Sequence, residues 1–202
     1  MSWIQTYTGK QFYPLDPDPS TVCLTDIAHA LSLKCRFGGH CRDFYSVAEH
    51  SVRAARAARV ARWGNNNKVA RFTLLHDAAE AYIPDFARPI KGAMVVLCRS
   101  DFYRIREWEQ QILWAIGVRL NIDLVTDRGT MGYHRIVKWW DEVMLATEAR
   151  DLMGVEPGQW PGLPDPIPET IEPWSPQEAE QAFLDLANEL GIRDEAKEEA
   201  PA

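Results

Sequence analysis

Apolar residues recur every three or four positions over six separate stretches of this chain, and that periodicity constrains the fold more than any other feature. Thr25 is placed to cap a first helix through Ile27, Ala28 and Leu31. Residues 46–62 carry a stripe of Val47, Ser51, Ala54, Ala58 and Ala61, and Asn65–Asn67 separates it from a helix over 68–82 with Val69, Phe72, His76 and Ala79 on one face. Pro84 stops that helix. Further helices are expected over 100–117, ending near Gly117, and over 133–153, with Gly154 just past the end. The last helix, 175–191, has a capping signature in Ser175, Pro176 and Glu178. Ahead of all these, Ile4–Tyr7 and Gln11–Tyr13 flank Thr8-Gly9-Lys10 as a short β-hairpin. The expected fold is mostly α: a helical bundle with a small N-terminal β-hairpin. It forms one domain over 1–192, with residues 154–174 as a proline-rich strap and 193–202 as an acidic disordered tail.

A chain of 202 residues buries enough surface to hold a core without cross-links. No run of 18 apolar residues exists, so no membrane span is expected, and the first residues lack a basic start and an apolar stretch. A cytoplasmic protein is expected, with Cys23, Cys35, Cys41 and Cys98 as free thiols because no CxxC pair occurs. The net charge of −7 is uneven: residues 169–202 hold ten acids and two bases. The remainder is nearly neutral, which leaves room for a phosphate-bearing small molecule but not for an extended nucleic-acid partner.

Polar residues on helix faces that should be buried carry the chemical information. His50 lies in line with Ala54 and Ala58, His76 with Phe72 and Ala79, and Asp141 with Val137, Met144 and Leu145. A buried carboxylate is costly unless it is paired or metal-bound. A single such histidine reads as a hydrogen-bonded core residue. Three such residues on separate helices, plus the adjacent pair His76-Asp77, supply two imidazoles and two carboxylates, donors suited to Mn, Fe, Co or Zn. Arg53, Arg56, Arg59 and Arg62 form a spiral that reads as a solvated face, and Glu148 reads as a buried salt-bridge residue rather than a ligand.

The order His50, His76-Asp77, Asp141 resembles the H…HD…D pattern of the HD-domain metal-dependent phosphohydrolases. Four words carry the likeness: Arg36-Phe37-Gly38-Gly39-His40, Phe44 to Ser51, Leu75 to Tyr82, and Asp141 to Leu152. They are similar to the branch of small bacterial and prophage 5′-deoxynucleotidases and phage dATP triphosphohydrolases, over roughly residues 3–175. The resemblance implies an HD-domain fold with His50, His76, Asp77 and Asp141 as ligands of a divalent metal (Co, Mn, Zn, Fe or Mg). It implies Glu80 as the acid on the attacking water and Asp85 as a second catalytic acid. Arg36, Lys91 and Lys138 match phosphate contacts, Phe37 matches the residue that packs on the nucleoside, where the deoxynucleotidases carry Trp, and His40, in the same word, is expected near the substrate.

The implied reaction is metal-dependent cleavage of the 5′-phosphate ester of a deoxyribonucleotide. Two outcomes lie within it: dNMP to deoxynucleoside and phosphate, or dNTP, especially dATP, to deoxynucleoside and triphosphate. A non-catalytic nucleotide-binding protein on the same scaffold is the alternative. It predicts a lost ligand or a lost Glu80, and neither is lost. The resemblance also implies a homo-oligomer.

Overall fold

The computed structural model describes residues 2–61, 66–98, 101–125, 133–156 and 159–194. Arg62, Asn65, Pro157 and the tail from residue 195 onward lie outside the described residues. The fold is mostly helical. Among the described residues the α-helices are α1 (Leu24–Ser32), α2 (Val47–Val60), α3 (Asn66–Leu75), α4 (Arg88–Lys91), α5 (Ile105–Arg119), α6 (Tyr133–Leu152) and α7 (Pro176–Glu189). The expected N-terminal hairpin is present as β1 (Ile4–Gln5) paired antiparallel with β2 (Gln11–Phe12). Its turn is pinned to α1, where Asp26 accepts from the Thr8 amide at 2.7 Å and the Thr8 hydroxyl at 2.9 Å.

Helix α2 packs against α1, α3, α6 and α7. Its sequence explains this position. Ser46 accepts from the Glu49 amide as N-cap, and Ala48, Ala54, Ala55 and Ala58 are buried. Small side chains let neighbouring helices approach closely on several sides. The main core joins α2 to Phe12, Ile27, Leu31, Leu74, Leu75, Ile112 and Phe183, among others. At the far end, Ser175, Pro176 and Glu178 form the expected capping box of α7, and Gly154 follows α6 at a φ of 64°.

Three local expectations are corrected. Thr25 is the second residue of α1 and not its cap; the Asp194 carboxylate accepts from the Leu24 amide at 3.1 Å and does that work from 170 positions away. The helix expected over 68–82 stops at Leu75, and Ala78–Ala81 form a separate 3-10 turn. Residues Asp101–Arg104 are not helical but form β4, antiparallel to β3 (Val95–Cys98). Consecutive β-branched and aromatic residues at 95, 96, 102 and 103 outweigh the weak helical periodicity there. Gly117 lies in the last turn of α5, near its end as expected; a Cβ there would collide with the Ile122 carbonyl as the chain folds back.

The proline-rich strap is held by its backbone. Arg150 donates to the carbonyls of Ile167 and Glu169 at 2.9 Å each, and the Ile171 amide donates to Asp151 at 2.8 Å. At its end Trp174 lies under Arg53, 4.5 Å from guanidinium to ring, and its amide donates to Glu49 at 2.9 Å. The arginine spiral of α2 therefore clamps the strap as well as facing solvent. Among the described residues no helix is long and apolar enough to cross a membrane.

Candidate metal centre

Three segments that are far apart in sequence bring their polar side chains to one point. His50 comes from the first turn of α2 and Asp141 from α6, while His76 and Asp77 sit in the break after α3. The break shapes the site. The last-turn carbonyls of a helix lack helical partners, and the Thr73 carbonyl accepts from His76 Nδ1 at 2.7 Å. A helix continuing to residue 82 would not turn the ring this way.

The two imidazoles face each other with Nε2 atoms 3.4 Å apart. Asp141 Oδ1 lies 3.3 Å from His50 Nε2 and 3.9 Å from His76 Nε2. Asp77 Oδ2 lies 3.2 Å from His76 Nε2 and 3.9 Å from His50 Nε2. His50, His76 and Asp141 each offer one donor atom within 4.8 Å of the others, a group that could hold a metal ion. The opposite ring nitrogens are already used: His50 Nδ1 contacts Glu148 Oε1 at 2.6 Å, and His76 Nδ1 contacts the Thr73 carbonyl. Both partners accept, so both rings carry a proton on Nδ1 and present Nε2 inward, where a lone pair becomes available to a cation once the Nε2 proton is displaced. That is how ligating histidines are oriented by groups behind them. Two nitrogen and two carboxylate donors fit a borderline divalent cation.

Without a cation the cluster balances its own charge. Burial pulls His76 down, but Asp77 and Asp141 outweigh it and raise the imidazole well above its ordinary range. His50 is raised as well; burial and Arg36 oppose the shift, and Glu148 and Asp141 win. Burial works against ionisation of Asp77 and Asp141, yet the two imidazoles hold both far below the usual carboxylate range.

A second charged cluster adjoins the first. Glu80, in the Ala78–Ala81 turn, is 3% exposed. Burial, reinforced by Asp77 and Asp85, pushes its carboxyl up to about 8. Its Oε1 accepts from Lys91 Nζ at 3.1 Å, and its Oε2 is buried without a hydrogen-bond partner. Lys91 also meets Glu109 at 2.8 Å. Asp85 is half-buried on the segment that follows. Lys34, which sequence reasoning missed, donates to the carbonyls of Glu80 and Ile83 and so fixes the turn that carries Glu80.

Arg36 is packed against the candidate metal centre. Its Nε and Nη2 reach Glu148 Oε2 at 3.1 and 3.0 Å, and Nη1 lies 3.6 Å from Asp77. Phe37 follows with a φ of 57°, its ring 6.4 Å from that of Trp160. His40 ends the same turn and is exposed. Lys138 is exposed, with Glu142 at 3.7 Å. It lines a cleft of about 570 Å³ together with His76, Arg106, Arg135, Phe72 and Leu113. Glu148 is the buried salt-bridge residue expected from its place two turns after Asp141; its second contact, to His50, was legible only as that same-face spacing.

Two curated relatives cover most of the chain. The uncharacterized protein YfdR of Escherichia coli is 34% identical over 195 residues, 94% of this chain and 96% of the relative. The chain belongs to the YfdR family. An uncharacterized protein of Rhodobacter capsulatus is 29% identical over 171 residues, 82% of each chain. No family model matches the chain.

Proposed function

We propose that the chain is a phosphohydrolase of the HD-domain type that uses a divalent cation to cleave the 5′-phosphate ester of deoxyribonucleotides. The observation that carries this reading is the pair of facing Nε2 atoms, 3.4 Å apart and flanked by Asp141 and Asp77, with both Nδ1 atoms committed elsewhere. A bound cation supplies Lewis acidity toward a phosphoryl oxygen and toward water.

The remaining chemistry belongs to the side chains around it. Glu80, with a carboxyl at about 8 and a free buried oxygen, is tuned to hold a water and take its proton near neutral pH. Asp85 is the acid that protonates the departing 5′-oxygen. Arg36 and Lys138 offset charge that builds on the phosphoryl oxygens. Lys91 acts through Glu80, to which it is already paired. The cleft beside His76 has the size and the mixed cationic and apolar lining that a nucleotide needs, with Phe37 and His40 on the turn next to Arg36.

A panel of dNMP, dNDP and dNTP with Mn, Co, Zn and Mg, its products separated by chromatography, tests the reading. Deoxynucleoside with phosphate or with triphosphate supports it and tells the two outcomes apart. Binding without turnover across the panel replaces it with a nucleotide-binding role.

A further inference from the structure

We propose that Cys35 and Cys41 are a redox-modification site, forming a reversible disulfide that closes the turn carrying Arg36. The inference does not rest on the phosphohydrolase reading. The two Sγ atoms lie 3.5 Å apart. A disulfide bond is about 2.05 Å long, so the sulfurs need to move together by only ~1.5 Å, within reach of small side-chain rotations. Both residues are half-buried, so a small oxidant reaches them.

The backbone on each side is already fixed. Cys35 forms an isolated antiparallel bridge with Ser46, and the Arg36 amide donates to the Tyr45 carbonyl at 2.9 Å. Past Cys41, the Arg42 amide donates to the Leu152 carbonyl at 3.0 Å. The sulfurs therefore face each other because two anchored segments hold them there. Between them the chain is under strain. Phe37 has a φ of 57°, and Gly38 and Gly39 follow at 59° and 80°. A phenylalanine in the left-handed region persists only where its surroundings hold it. A covalent link across residues 35 and 41 adds such a hold to the turn whose Arg36 neutralises buried Glu148.

With hydrogen peroxide as oxidant the step balances. One thiolate sulfur attacks a peroxide oxygen, the O–O bond breaks, and a sulfenic acid forms as water leaves. The second thiol attacks that sulfur, the S–S bond forms, the S–O bond breaks, and a second water leaves. Two sulfurs are oxidised, the peroxide is reduced to two waters, and a dithiol reductant reverses the link by exchange. A second thiol at 3.5 Å intercepts the sulfenic acid before further oxidation. Cys23 is the internal control. It is buried before α1, with its sulfur 3.7 Å from Asp194.

The test uses the full chain treated with hydrogen peroxide, alkylated, and mapped by mass spectrometry without reduction. The expected product joins Cys35 to Cys41, is lighter by about 2 Da than the two reduced peptides, and disappears with dithiothreitol. Oxidised protein should melt a few degrees above reduced protein. That shift should vanish in Cys41→Ser and persist in Cys23→Ser. Free, alkylated thiols at 35 and 41 after oxidation overturn the proposal, as do sulfinic acids or links to Cys23 or Cys98. A link that leaves the melting temperature unchanged overturns the closure of the turn. The wild-type map alone decides the linkage, whether or not either variant folds.

Discussion

Glu148 Oε1 lies 2.6 Å from His50 Nδ1, and neither side chain is exposed to solvent. The same carboxylate meets the Arg36 guanidinium through its other oxygen. Burial opposes its ionisation, but Arg36 and His50 hold it below the ordinary glutamate range. One buried charge thereby orients a candidate ligand and is itself neutralised.

Glu148→Gln should weaken cation binding by about 10–100-fold, the usual cost of losing a partner behind a ligating histidine. Competition against a chromophoric chelator measures it. Glu148→Ala should also cost about 3–5 kcal/mol of stability, because Arg36 and His50 both lose the buried carboxylate they share. Unchanged affinity in the Gln variant would reduce the contact to a structural one.

Asp77→Ala should lose the cation and keep the fold. Asp77 is only partly buried and stands 3.2 Å from His76 Nε2. Elemental analysis of the purified variant decides this, with circular dichroism as the check on folding. Full metal occupancy in the variant removes Asp77 from the ligand set.

Cation-free protein should lose stability as pH rises. The raised imidazoles contribute stability that is fully present below about pH 6.5 and is lost as pH climbs through their folded values. Asp77 and Asp141 are depressed, so their contribution is present above about pH 4 and is lost only on acidification. Chelator-treated protein should therefore melt lower at about pH 9 than at about pH 6, and added Mn should restore the loss at the higher pH. Calorimetric scans showing equal melting temperatures without cation would contradict a protonated pair.

Glu80→Ala should retain cation and nucleotide while turnover falls on the order of 10²-fold or more, the size expected of a positioned base. Turnover like that of the parent protein would leave Glu80 as a buried residue paired with Lys91 and nothing more.

Lys91→Ala should shift the pH profile. The Lys91 ammonium, 3.1 Å from Glu80, lowers a carboxyl that burial and its acidic neighbours hold at about 8. Removing it raises that carboxyl further, so the rising limb of kcat against pH moves upward. Comparing dAMP with dATP in the same variant also reads out phosphate number. A selective loss on dATP indicates a distal phosphate at Lys91, and an equal loss on both indicates action through Glu80.

Much of this protein was legible one residue at a time. Helical period located α2, α6 and α7 nearly to the residue, and Ser175 with Glu178 marked the start of α7 because caps are local hydrogen bonds. His50, His76 and Asp141 stood out for the same kind of reason, as polar groups on faces that must be buried. What depended on three dimensions was every partner. The helix end at Leu75 frees the Thr73 carbonyl for His76, Asp194 caps α1 from the other end of the chain, and Lys34 binds the Glu80 turn. Cys35 and Cys41 meet because Tyr45, Ser46 and Leu152 anchor the segments that carry them. Periodicity tells which face of an element is buried, since that depends on the element alone. It carries nothing about which atom waits on the other side, because that contact exists only after the elements have packed.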